Sequence, residues 1–107
     1  MALYEMRTYT VYVGKMAEVL EHYSQLGWPA LQKGGFDAKL VGYFISDVGT
    51  LHQMMHIWKF DDDADRRDHW QRLFADQDFM AFAPHIRPLI RTQEVSLWNE
   101  APFGPHP

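Results

Sequence analysis

The sequence predicts an α+β fold of the ferredoxin-like type, a βαββαβ chain whose antiparallel four-stranded sheet carries two helices on one face. Three observations carry the prediction. Stretches rich in β-branched and aromatic residues alternate with amphipathic helical stretches in that order, glycine and proline signals separate them, and 107 residues suit one domain, residues 1–107, with a modest core.

The first strand runs from Leu3 to Val13, where Tyr, Thr, Val and Met interleave with Glu5 and Arg7, and it stops at Gly14. Met16, Val19, Leu20, Tyr23 and Leu26 then keep the i, i+3, i+4 rhythm of an amphipathic helix, bent or ended near Gly27 and Pro29. Gly34-Gly35 is a helix stop, Lys39 to Ile45 reads as the second strand, and Asp47-Val48-Gly49-Thr50 as a turn. Leu51 to Phe60 forms the third strand, paired with the second as a hairpin. Asp61-Asp62-Asp63 offers side-chain oxygens to unpaired amides and negative charge to a positive helix end, so it opens the second helix, with Ala64, Trp70, Leu73 and Phe74 on its apolar side. That helix loosens around Asp76 to Asp78, Phe79 and Phe82 add a short apolar turn, and Pro84 and Pro88 bracket the approach to a fourth strand, Ile90 to Trp98. Residues 99–107, with three prolines and a glycine, form an extended arm. In this topology strands one and three are central, strand four flanks one, and strand two flanks three.

Alternation along the third strand is poor. His52, Met54, His56, Trp58 and Phe60 occupy one face, yet Met55 and Ile57 put apolar groups on the other. Two helices cover only one face, so a second copy of the chain is the expected cover for the other, which predicts a homodimer through the sheet.

Ten Lys plus Arg against fourteen Asp plus Glu give a net charge of −4. The basic residues are scattered, which argues against a nucleic-acid partner. With no cysteine, disulfides and thiolate chemistry are excluded. No apolar run approaches the ~20 residues that span a bilayer, and the N-terminal residues do not read as a signal peptide, so a cytoplasmic protein is expected.

Tyr4-Glu5-Met6-Arg7-Thr8-Tyr9-Thr10, Gly14-Lys15, Leu40-Val41-Gly42, Gly49 with His56-Ile57-Trp58 seven residues on, Ile86-Arg87-Pro88-Leu89, Gln93-Glu94 and Ala101-Pro102-Phe103 form an ordered set across the whole chain. On these residues the chain resembles the NIPSNAP family. The resemblance implies a dimeric α+β barrel, in which the sheets of two ferredoxin-like subunits face one another. It leaves activity open: the superfamily includes cofactor-independent monooxygenases and several kinds of haem protein, while NIPSNAP proteins mostly lack an assigned activity.

Glu5 and Arg7 share a strand face roughly 6 to 7 Å apart. Either they form an internal ion pair, with Glu94 on the flanking strand as a further partner, or Arg7 presents a free edge to an anionic ligand. His56 and Trp58 share a face of the other central strand, near Arg7 and Tyr9. His56 reads as a general base or ligand-orienting donor and Trp58 as a pocket wall; the plainer reading is a core Trp beside a satisfied histidine. Tyr9, Tyr12, Tyr23 and Tyr43 line a cavity or pack as core residues. His52 and His56 lie ~13 Å apart along a strand, too far for one ion, so no metal site is expected. His22, His69 and His106 are expected on the surface.

Two functional classes follow. One is a dimeric binding or interaction module, without cofactor, that holds a partner or a small apolar or anionic ligand, the ligand at Glu5, Arg7, Tyr9, His56, Trp58 and Glu94. The other is a small cofactor-independent enzyme, a monooxygenase or isomerase acting on a hydrophobic carbonyl compound, with Arg7 and His56 as catalytic residues. Haem binding is disfavoured, because the candidate axial histidine sits on a central strand.

Overall fold

The computed structural model describes residues 2–107. Its elements are β1 (Leu3–Val11), α1 (Met16–His22), a π-helical turn (Tyr23–Gly27), α2 (Trp28–Lys33), a 3-10 turn (Phe36–Lys39), β2 (Leu40–Ile45), β3 (Gln53–Phe60), α3 (Asp63–Ala75), α4 (Gln77–Ile86), a 3-10 turn (Arg87–Leu89) and β4 (Ile90–Asn99). The sheet has the order β2-β3-β1-β4 with antiparallel neighbours throughout, the ferredoxin-like arrangement predicted.

The helices cover the face that carries Glu5, Tyr9 and Val11 of β1 and Met54, His56, Trp58 and Phe60 of β3, all buried. Two apolar clusters tie the layers together. One joins Trp58 and Phe60 to Leu31, Phe36 and Leu73; the other joins Tyr9, Val11 and Met54 to Val19. Fully burying side chains of this size contributes ~1.5–3 kcal/mol each.

Several local readings are corrected. Leu3 to Val13 overshoots β1, because the Tyr12 amide donates to the Leu89 carbonyl and a turn closes from Lys15 N–H to Tyr12 O. The first helix, expected to bend or end near Gly27 and Pro29, does not end there: it widens into the π turn and continues as α2. It stops at Gly34, followed by Gly35 at φ 75°. The π turn also rotates Leu26 off the buried stripe and into solvent.

The stretch after β3 was read as one helix and an apolar turn but folds as two helices. Asp62 caps α3 by accepting from the Asp65 amide at 2.8 Å, and Asp76 caps α4 by accepting from Phe79 at 2.9 Å. Pro84 lies inside α4 rather than before a loop. The α3 apolar side is also revised. Ala64 and Phe74 are exposed, while Arg66, His69, Trp70 and Leu73, spaced i, i+3, i+4, i+7, turn inward; of these His69 and Leu73 are fully buried.

On β3, burial alternates strictly, with Gln53, Met55, Ile57 and Lys59 half-buried on the open face. His52 belongs to neither face; it sits at φ 62° in the β2–β3 loop. Met6 and Thr8 share the open face with Met55 and with Phe44, which is 49% exposed. Beyond β4 the tail folds back: Glu100 accepts from the Ala2 amide at 2.7 Å, and the Tyr4 hydroxyl donates to the Pro107 carbonyl at 2.8 Å.

Candidate functional site

In the β1–β3 register Glu5 lies opposite Trp58, Arg7 opposite His56 and Tyr9 opposite Met54. All six side chains belong to the helix-covered face, so the two central strands deliver charge and aromatic surface into the space between sheet and helices. That space holds a cavity of about 140 Å³. Arg7, Tyr9, His56 and Trp58 line it from the sheet, Tyr23 from the π turn and Tyr43 from β2. Trp70, Phe74 and Phe79 close it from the helices, and exposed Arg87 and Gln93 stand at its rim.

Glu5 is 1% exposed and anchors the charge pattern. One of its oxygens accepts from Arg66 at 2.9 Å and from the Trp70 indole N–H at 3.2 Å; the other lies 3.6 Å from Arg7 Nε. The carboxylate is thus held by two helix side chains, and its pairing with Arg7 is longer than a hydrogen bond. Arg7 lies over Trp70, its guanidinium carbon 4.5 Å from the ring centroid. Among the described residues no group accepts a hydrogen bond from Arg7, and its Nε is buried without a partner.

Trp58 orients His56. The indole N–H donates to His56 Nδ1 at 2.6 Å, which makes Nδ1 the unprotonated nitrogen and puts the ring proton on Nε2. Nε2 has no partner. Burial, reinforced by the Arg7 charge, pushes the imidazole down to about 3, so the ring is neutral at physiological pH. The ring stacks on Tyr43, with centroids 4.6 Å apart, and meets the Tyr9 edge at 4.9 Å. A general-base role needs a free, unprotonated nitrogen, and this tautomer has none; His56 is a donor here.

Tyr9, Tyr23 and Tyr43 all have hydroxyl pKa values raised by burial, so they too are protonated donors. Tyr23, at the first position of the π turn, reaches the cavity on the same helical stripe as Val19 and Leu20. The turn is held by close packing of Gly27 on the Phe82 ring, where a Cβ would meet ring carbons at 2.7 Å.

The structure brings together Arg7, Tyr9, His56 and Trp58, with Glu5 directly behind them. It does not bring Glu94, which pairs with Thr8 and so occupies the opposite face from Arg7. Tyr12 is exposed outside the site. Arg66 escaped the sequence reading and Trp70 was read only as part of the apolar side of its helix, although their i, i+4 spacing places both on the helical stripe that faces Glu5.

Of the three histidines expected on the surface, only His106 is exposed; His22 is half-buried and stacked on His85. His69 is a correction, with 0% exposure inside a cage that includes Phe36, Trp58, Phe60 and Trp70. Neither ring nitrogen has a partner, and burial, then the Arg72 charge, pushes it down to about 4.

The NIPSNAP family model matches residues 4–105. The chain belongs to the NIPSNAP family. It is similar to a NIPSNAP family protein of unknown function from Agrobacterium tumefaciens, at 34% identity over 97% of this chain and 92% of that one, with a TM-score of 0.88. An uncharacterized NIPSNAP domain protein from Burkholderia xenovorans is 36% identical over 97% of this chain and 99% of the other, with a TM-score of 0.87. Further out, the cofactor-independent oxygenase SnoaB from Streptomyces nogalater shares the fold at a TM-score of 0.62, with 17% identity over 98% of each chain. No curated protein matches this NIPSNAP chain.

Proposed function

We propose that this NIPSNAP protein binds a small molecule in the cavity between sheet and helices. The observation that carries the proposal is a pair of donors left without protein acceptors beside the cavity, Arg7 and the Nε2–H of His56, which is 2% exposed. A buried donor without an acceptor costs ~1–3 kcal/mol, a cost that a ligand oxygen recovers. The volume supports a single ring, since an apolar cavity of ~150 Å³ accommodates benzene. Calorimetric titration with a panel of small cyclic carbonyl compounds and acids tests it: binding is expected in the micromolar range. Absence of binding across the panel up to millimolar concentrations refutes it.

The enzymatic alternative, a monooxygenase or isomerase, takes support from the fold shared with a cofactor-independent oxygenase. Against it, His56 holds its proton on Nε2, and Glu5 is held by Arg66 and Trp70. A proton-abstracting residue is therefore missing from the cavity as it stands.

The same proposal includes a cytoplasmic homodimer built through the open sheet face. Phe44, Met6, Met55 and Ile57 support it, because an antiparallel sheet with one face in water otherwise carries polar groups there. Light scattering should give twice the mass of the chain, and Phe44→Asp should shift it to monomer; a wild-type monomer at micromolar concentration overturns the dimer.

A further inference from the structure

We infer that the cavity selects a small oxyanion on a planar ring, a carboxylate or an enolate-like oxygen, over its neutral counterpart. This rests on the binding site proposed above and adds the charge of the ligand.

The chain carries a net charge of −4, yet the cavity lining inverts that sign: it includes Arg7 and Arg87 and no acidic residue. The nearest carboxylate, Glu5, is occupied on one oxygen by Arg66 and Trp70 and stands 3.6 Å from Arg7 Nε on the other. Arg7, packed over the Trp70 ring, therefore keeps hydrogen-bonding capacity to spare. A planar guanidinium fork of this kind matches the two oxygens of a carboxylate or one oxygen of a delocalised anion.

The neutral polar groups agree. The Nε2–H of His56 is a donor, and the Tyr9, Tyr23 and Tyr43 hydroxyls stay protonated and so can donate as well as accept. A ligand oxygen therefore finds donors here, whereas Arg7 and the Nε2–H of His56 accept nothing from a ligand N–H. Burial opposes any anion. For Tyr9 it outweighs the Arg7 charge, so an oxyanion is accepted only in direct contact with Arg7. Trp58, Trp70, Phe79 and Tyr43 supply the flat apolar walls that take the ring.

The test titrates the wild-type protein with benzoate and with benzamide, which share ring and carbonyl and differ in charge, and with p-nitrophenol, whose colour reports its ionisation. Benzoate is expected to bind at least tenfold more tightly than benzamide, or p-nitrophenol to ionise at least one pH unit lower when bound than free. Preference for benzoate alone assigns a carboxylate ligand, and a shift of p-nitrophenol alone assigns an enolate-like one. Arg7→Met, which keeps an apolar stem over Trp70, should remove the preference while ring binding persists. Equal binding of benzoate and benzamide with no shift of p-nitrophenol overturns the charge selectivity but leaves the cavity a binding site. Absence of binding by every probe overturns both.

Discussion

Acid should destabilise this NIPSNAP protein well above the pH at which its carboxylates protonate, because two histidines are buried in neutral form. His56 titrates near 3 and His69 near 4 in the fold, against 6.5 for an ordinary histidine. Between those values the unfolded chain binds protons that the folded chain refuses. Stability is therefore fully present above pH 6.5 and falls as the pH drops toward the folded values. Each pH unit costs up to about 1.4 kcal/mol per refused proton, so His56 alone removes roughly 2 kcal/mol between pH 6.5 and pH 4.5. His69 acts in the same direction, and the two together consume a large part of the ~5–15 kcal/mol that holds a typical domain together. Asp63 and Asp65, held below the usual carboxylate range by Arg67 and Lys39, add their own losses only near and below pH 4. Urea denaturation at intervals from pH 7.5 to 4.5 isolates the histidines, and His69→Leu should remove about half of the slope without loss of stability at pH 7.5, since neither ring nitrogen bonds to the protein. Stability unchanged over that range, or a slope unaffected by His69→Leu, refutes the reasoning.

Glu5→Gln removes the charge that Arg66 and Arg7 share and should cost ~2–3 kcal/mol in urea denaturation, because both arginines are mostly buried. Gly27→Ala drives a Cβ into the Phe82 ring and should cost ~1–3 kcal/mol, read as a lowered melting temperature, and it should displace Tyr23 from the cavity. Trp58→Phe removes the donor that fixes the His56 tautomer. Nitrogen NMR of the imidazole should show the Nε2-protonated form in the wild type and a mixture of tautomers in the variant.

Local signals account for most of what was legible in the sequence. Gly14, Gly34-Gly35 and the aspartates before α3 interrupt the chain by backbone freedom and by capping, which depend on a few neighbouring residues. The π turn was not legible: Gly27 and Pro29 signal a bend or an end without deciding between them, and in the folded chain the helix runs on with Gly27 packed against the Phe82 ring. His69 was hidden by its polarity. Its position, three residues after Arg66 and four before Leu73, marks it as inward-facing, but histidine is neutral evidence for burial until the stripe is traced.

The sequence by itself determined the order of strands and helices, the pairing of β1 with β3, the family, and the nearness of Arg7, Tyr9, His56 and Trp58 to one another. Only the tertiary structure decided which face they occupy, that Arg66 and Trp70 hold Glu5, and that Glu94 lies on the other side of the sheet. The physical reason is the two-residue period of a strand. A one-residue shift in pairing sends every side chain to the opposite face, and the β1–β4 register, with its irregularity between Thr10 and Val11, is set by the packed sheet as a whole rather than by any local run of residues.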